Sequence, residues 1–87
     1  MIHILRHRQF KKDFKKLPSP VRQKLFERLN TFVTSPFSPV LNNHALSGVY
    51  RGYRSINITG DYRVIFDPLD ENTLRLMRVG THPQLYE

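Results

Sequence analysis

Three β-type runs fill the C-terminal half of the chain: about Tyr50 to Ile58, Tyr62 to Asp67 and Leu74 to Val79. Only Thr59-Gly60-Asp61 and the polar stretch Pro68 to Asn72 separate them. Connections this short cannot carry a crossover, so consecutive strands must pair antiparallel. The N-terminal half reads differently. Ile2 and Ile4 alternate with polar neighbours and predict a short first strand. Phe10, Phe14 and Leu17 then fall at i, i+4 and i+7, one apolar stripe of a helix over about Gln9 to Leu17. Pro18-Ser19-Pro20 breaks that helix and starts another, with Ser19 as its cap and Val21, Leu25, Phe26, Leu29, Phe32 and Val33 as its stripe until Pro36. Residues 35–48, rich in Ser, Pro and Asn, read as a loop, and Pro83 to Tyr86 as a brief helical tail. The expected fold is α+β: an N-terminal strand and a two-helix hairpin packed on one face of a small twisted antiparallel sheet, the other face having no partner.

The 87 residues are enough for one modest core, so residues 1–87 are expected to form a single domain. A hydrophobic content of 39% argues against disorder. With no cysteine, disulfides and thiolate metal sites are excluded. The N-terminus turns charged too soon for a signal peptide, and no apolar run approaches the roughly 18 residues of a membrane span. A cytoplasmic protein with no membrane association is the expectation.

The net charge of +7 is unevenly placed. Residues 1–28 carry nine Lys and Arg against Asp13 and Glu27, and beyond them the charges cancel. Such a patch suits a polyanion, because neutralised phosphates release counterions. A solvated helix face, or a dock for an acidic protein, would account for it equally well.

Chemistry-bearing residues gather at the strand ends. Arg78-Val79-Gly80-Thr81-His82 places a phosphate-binding guanidinium, a glycine that lets the backbone turn sharply and a proton-transfer group within five positions. His44 and Asp61 are further proton handlers, Arg63 and Arg54 further phosphate ligands, and Tyr62 and Tyr86 faces on which bases can stack. No metal-ligand spacing, P-loop, dinucleotide fingerprint or nucleophile elbow is present, so no cofactor is expected. RNA needs none, since its 2′-hydroxyl is the nucleophile: a proton leaves it, the phosphorane charge is stabilised, and the 5′-oxygen is protonated. Each residue also has a plain structural role: His44 could bond loop carbonyls, Asp61 form a turn, Arg78 be solvated, and His82 steady a helix terminus.

Asn43-His44-Ala45-Leu46-Ser47-Gly48, Tyr50-Arg51-Gly52-Tyr53-Arg54, Gly60-Asp61-Tyr62, Arg78-Val79-Gly80-Thr81-His82 and Leu85-Tyr86 together resemble the YafQ branch of the RelE toxin superfamily. Phe10-Lys11-Lys12-Asp13-Phe14-Lys15-Lys16-Leu17 is a less specific match. The resemblance implies the toxin of a bacterial type II toxin–antitoxin system, a ribosome-dependent endoribonuclease that cuts mRNA in the A site. A cognate antitoxin would be its partner, in a hetero-oligomer able to bind operator DNA. It implies His44, Asp61, Arg78 and His82 as catalytic residues, with His82 as the acid. Tyr62 and Tyr86 would contact substrate, with Arg54, Asn57 and Arg63 on the RNA. Lys11, Lys12, Lys15 and Lys16 would grip ribosomal RNA. Relatives carry a histidine where this chain has Asn57, a side chain unable to shuttle a proton near neutral pH. Two alternatives share the fold: a non-catalytic toxin acting on a protein such as DNA gyrase, and a degenerate toxin that only partners an antitoxin.

Overall fold

In a computed structural model of the chain, residues 2–86 are described. β1 (His3–Arg6) leads into α1 (Arg8–Lys15) and α2 (Ser19–Thr34); β2 (His44–Ala45), β3 (Arg54–Asn57), β4 (Tyr62–Asp70), β5 (Thr73–Thr81) and α3 (His82–Tyr86) follow. The order across the sheet is β1-β5-β4-β3-β2. Strands β2 to β5 pair antiparallel, as the short turns require. β1 adds a parallel edge on β5, which is possible because the whole helical hairpin intervenes between them.

The helices form where the apolar stripes put them. His7 caps α1 by accepting a hydrogen bond from Gln9 N at 3.0 Å through Nδ1, so this histidine serves the backbone. At α2 the cap position falls on Pro18 rather than Ser19, and Pro20 takes an early helical position where its missing N–H costs nothing. Phe10, Leu17, Leu25 and Phe32 meet Ile56, Ile58, Val64, Phe66, Leu74, Leu76 and Val79 of the sheet in one buried cluster. Phe32 packs edge-on against Phe66 with ring centroids 5.3 Å apart.

Three local features depart from expectation. The stretch read as loop contains a helical turn at Pro39–Leu41, anchored by fully buried Leu41, and the short strand β2. Two residues paired to β3 leave no periodicity to read. The predicted strand from Tyr50 begins only at Arg54, because Gly48 (φ 66°) and Gly52 (φ 94°) bend the chain through a turn first. β4 instead runs past Pro68; β3 pairs only as far as Phe66, so the proline sits where β4 has become an edge.

The face opposite the helices is not bare. Pairing puts Ser55, Ile65 and Arg78 on one cross-strand row of that face, and Ser55 and Ile65 are 1% and 0% exposed. Buried Leu85 of α3 approaches the same face over Gly80. A second small apolar layer therefore lies under the C-terminal helix, and it fixes the position of His82.

Candidate active site

Helix α3 is too short to hold itself together, since nucleating a helix costs more than its first bonds return. Three contacts fix it. Thr81 and Gln84 form a reciprocal capping box: Thr81 N donates to Gln84 Oε1 at 2.8 Å and Gln84 N donates to Thr81 Oγ1 at 3.4 Å. Leu85 is buried, and its carbonyl accepts a hydrogen bond from the Tyr50 hydroxyl. Gly80 completes the seat. It lies in extended backbone and makes no sharp turn; a Cβ there would come within 2.8 Å of Gln84 Oε1. Its function is close approach, not the turn expected from sequence.

With α3 seated, His82 joins Gly60, Asp61, Tyr62, Arg63, Thr81 and Pro83 around an open groove of about 580 Å³. Asp61 enters from the β3–β4 turn, where Thr59 Oγ1 accepts from its backbone N at 3.2 Å. Arg63 donates to Gly60 O at 3.2 Å, which stiffens that turn. The carboxylate and imidazole are exposed, so both can reach a substrate. Tyr86 stacks on His82 at 4.6 Å between centroids and meets Tyr50 edge-on at 5.3 Å. Burial, chiefly, raises the Tyr86 phenol above its ordinary pKa and keeps it neutral.

Arg78 is not the freely solvated cation that its position in sequence allowed. Its Nε donates to Asp13 Oδ2 at 2.7 Å and its Nη2 to Asp13 Oδ1 at 3.4 Å. Those hydrogen bonds, foremost, raise its already high pKa, so the guanidinium is permanently charged. Asp13 also accepts from Val79 N at 3.1 Å and from Gln9 Nε2 at 3.0 Å. Beyond Arg6, where β1 ends, α1 runs alongside β5 and this carboxylate satisfies a strand N–H. Sequence reading passed over Asp13 as one acid among lysines. Its spacing carried the signal, three residues after Phe10 and four before Leu17, on the buried stripe rather than the solvated face. Asp13, Lys16, Leu17, Tyr62, Arg78, Val79 and Gln84 line a recess of about 150 Å³, which shares Tyr62 with the groove.

The remaining expected residues divide. Asn57 pairs with Arg63 across the hairpin, on the groove's face of the sheet. Its Oδ1 is buried without a hydrogen-bond partner among the described residues. His44 sits on the edge strand with Nδ1 2.7 Å from its own loop's Asn42 O. Ser55 and Ile65 stand between it and Arg78, about 14 Å at three strand spacings. Arg54 stands elsewhere. Alternation along β3 turns it to the helix side, where Nε donates to Asn43 Oδ1 at 2.8 Å and the guanidinium lies 5.6 Å from the Phe37 ring centre. It does not reach the groove. Lys11 and Lys15 rim an apolar channel between α1 and α2, Lys12 is exposed, and Lys16 alone of the four adjoins Arg78. No group of three His, Asp or Glu that could hold a metal ion occurs among the described residues, nor any helix long and apolar enough to cross a membrane.

The chain matches, over residues 2–87, the family described as "Bacterial toxin of type II toxin-antitoxin system, YafQ". It is 36% identical over 53 residues to the mRNA interferase toxin YafQ of Escherichia coli strain K12, an alignment covering 61% of this chain and 56% of that one, little more than half its length. The crystal structure of YafQ from E. coli strain BL21(DE3) matches with a TM-score of 0.83 at 26% identity, covering 100% of both chains. A chain of the E. coli DinJ–YafQ complex matches at 0.80 and 28% identity, also covering 100% of both. At 23% identity, a chain of the RelB–RelE complex from Methanococcus jannaschii shares the fold, with a TM-score of 0.72 and 94% of each chain covered.

Proposed function

Because the chain belongs to the YafQ family of bacterial toxins of type II toxin–antitoxin systems, we propose that it is a cytoplasmic endoribonuclease that cuts mRNA on the ribosome and is held in check by an antitoxin protein. The observation that carries this reading is the groove in which Asp61, Arg63 and His82 meet beside a charged, anchored Arg78. Metal-free cleavage of RNA needs a base, cations for the phosphorane and an acid for the leaving oxygen, and these residue types supply all three.

In this mechanism the Asp61 carboxylate takes the proton of the ribose 2′-hydroxyl as its oxygen attacks the adjacent phosphorus. Asn57, paired with Arg63 across the hairpin, is assigned to contact with the RNA. Arg63 and the edge of Arg78 turned away from Asp13 stabilise the phosphorane, and His82 donates a proton to the departing 5′-oxygen. A 2′,3′-cyclic phosphate and a 5′-hydroxyl are left. Tyr86, backed by Tyr50, offers a surface on which a base stacks. His44, at the far edge of the same face, is assigned to contact with the RNA strand rather than to proton transfer. The lysines of α1 grip ribosomal RNA, and the toxin–antitoxin assembly binds operator DNA.

Primer extension on a defined mRNA in a purified translation system tests the reading. Ribosome-dependent cuts within the A-site codon are expected for the wild type, and a loss of about 10²–10⁴-fold for His82→Ala. Cuts that persist in the variant would remove His82 as the acid. A wild type that leaves mRNA intact but inhibits gyrase supercoiling would replace the activity altogether.

A further inference from the structure

We propose that Asp13 is a positioning residue for RNA cleavage: from inside the α1–β5 junction it holds the Arg78 guanidinium by its Nε edge, so that the opposite edge faces the recess and the phosphate beyond it. The inference rests on the functional reading above and assigns a role to a residue that touches no substrate. Four donors converge on this one carboxylate, from Gln9, the Val79 backbone and two nitrogens of Arg78. Asp13 is 8% exposed, whereas the Arg78 side chain is 29% exposed. One end of the pair is therefore fixed in the protein while the other meets solvent. An unanchored arginine at a strand end must be ordered when substrate binds; one gripped on its Nε side is ordered beforehand. Preorganised charge is what stabilises a phosphorane without reorganisation during the reaction. A purely structural role, joining α1 to the edge of β5, would leave the rate unchanged in any variant that still folds.

Asp13→Asn keeps the shape and an acceptor for Val79 N but removes the charge that grips Arg78. Single-turnover cleavage on saturating programmed ribosomes should fall by about 10²-fold, with little change in half-saturating concentration. Arg78→Ala should lose a similar factor, and adding Asp13→Asn to it should cost nothing more. Far-UV circular dichroism establishes that each variant is folded. A wild-type rate in folded Asp13→Asn, or full additivity with Arg78→Ala, would overturn the proposal. A second measurement needs neither cleavage nor a variant that folds: the NMR signal of Arg78 Nε–H in wild-type protein. A resolved, slowly exchanging resonance is the expected result, and one averaged with the other arginines would refute the anchoring. Should the wild type fail to cut mRNA, the functional reading falls, and this resonance still decides whether Asp13 fixes Arg78.

Discussion

Replacing Gly80 by alanine adds one methyl group at the point where α3 crosses β5. The new Cβ would stand 2.8 Å from Gln84 Oε1, 3.4 Å from Gln84 Cβ and 3.5 Å from Leu85 Cδ2. The last two are tolerable; the first requires Oε1 to retreat by roughly 0.5 Å or more. Oε1 is not free to do so, because it accepts from Thr81 N at 2.8 Å and closes the capping box. Losing that cap costs about 1 kcal/mol, and residual overpacking about 1–3 kcal/mol. Alanine recovers about 0.4–1 kcal/mol by restricting the unfolded chain. The net loss is about 1–3.5 kcal/mol, a fall in Tm of roughly 4–28 °C for a domain of this size. The effect on cleavage should be larger than the effect on stability. His82 is the first residue of the displaced helix, and a shift of about 1 Å in a reacting group can cost about 10²-fold. Thermal melts followed by circular dichroism, with single-turnover cleavage on the same samples, read both quantities. Gln84→Ala provides the control: with Oε1 gone, the Gly80→Ala step should cost at least about 0.5 kcal/mol less than in the wild type. If Gly80→Ala melts at the wild-type temperature and cuts at the wild-type rate, close approach at Gly80 does not set the position of His82.

Two further perturbations separate chemistry from binding. Asp61→Asn should reduce single-turnover cleavage by at least about 10²-fold and His44→Ala by distinctly less, since only Asp61 shares the groove with His82; the reverse order would return the base to His44. The double reversal Lys12→Glu and Lys16→Glu should weaken ribosome binding and flatten its dependence on salt, each phosphate contact contributing about 0.7–0.9 to the log–log slope. A slope equal to wild type in a filter-binding titration would show that these lysines do not contact RNA.

Local pattern made the framework legible. The stripe Phe10, Phe14, Leu17 and the proline break after it placed both helices, and the short turns dictated antiparallel pairing from β3 to β5. Residue type and strand-end position also picked out Asp61, Arg63 and His82, which the fold brings around one groove. What could not be read depends on partners distant in sequence. Asp13 and Arg78 are 65 positions apart, and neither residue's neighbours announce the other. β2 exists only because β3 pairs with it. Arg54 reads as a phosphate ligand by residue type, but strand alternation turns it to the face opposite Ser55 and Asn57. Gly80 is the exception: its partner Gln84 is only four residues on, but the close approach exists only once α3, His82–Tyr86, is folded back over the sheet.

In the proposed mechanism the RNA's own 2′-hydroxyl is the nucleophile, and this chain supplies the acid, the base and the cations around it. An mRNA carrying one 2′-deoxynucleotide on the 5′ side of the mapped cleavage site tests it most directly. No cutting at that bond is expected, and the products of unmodified mRNA should carry a 2′,3′-cyclic phosphate and a 5′-hydroxyl. Cleavage of the deoxy substrate at the normal rate, leaving a 5′-phosphate, would contradict it.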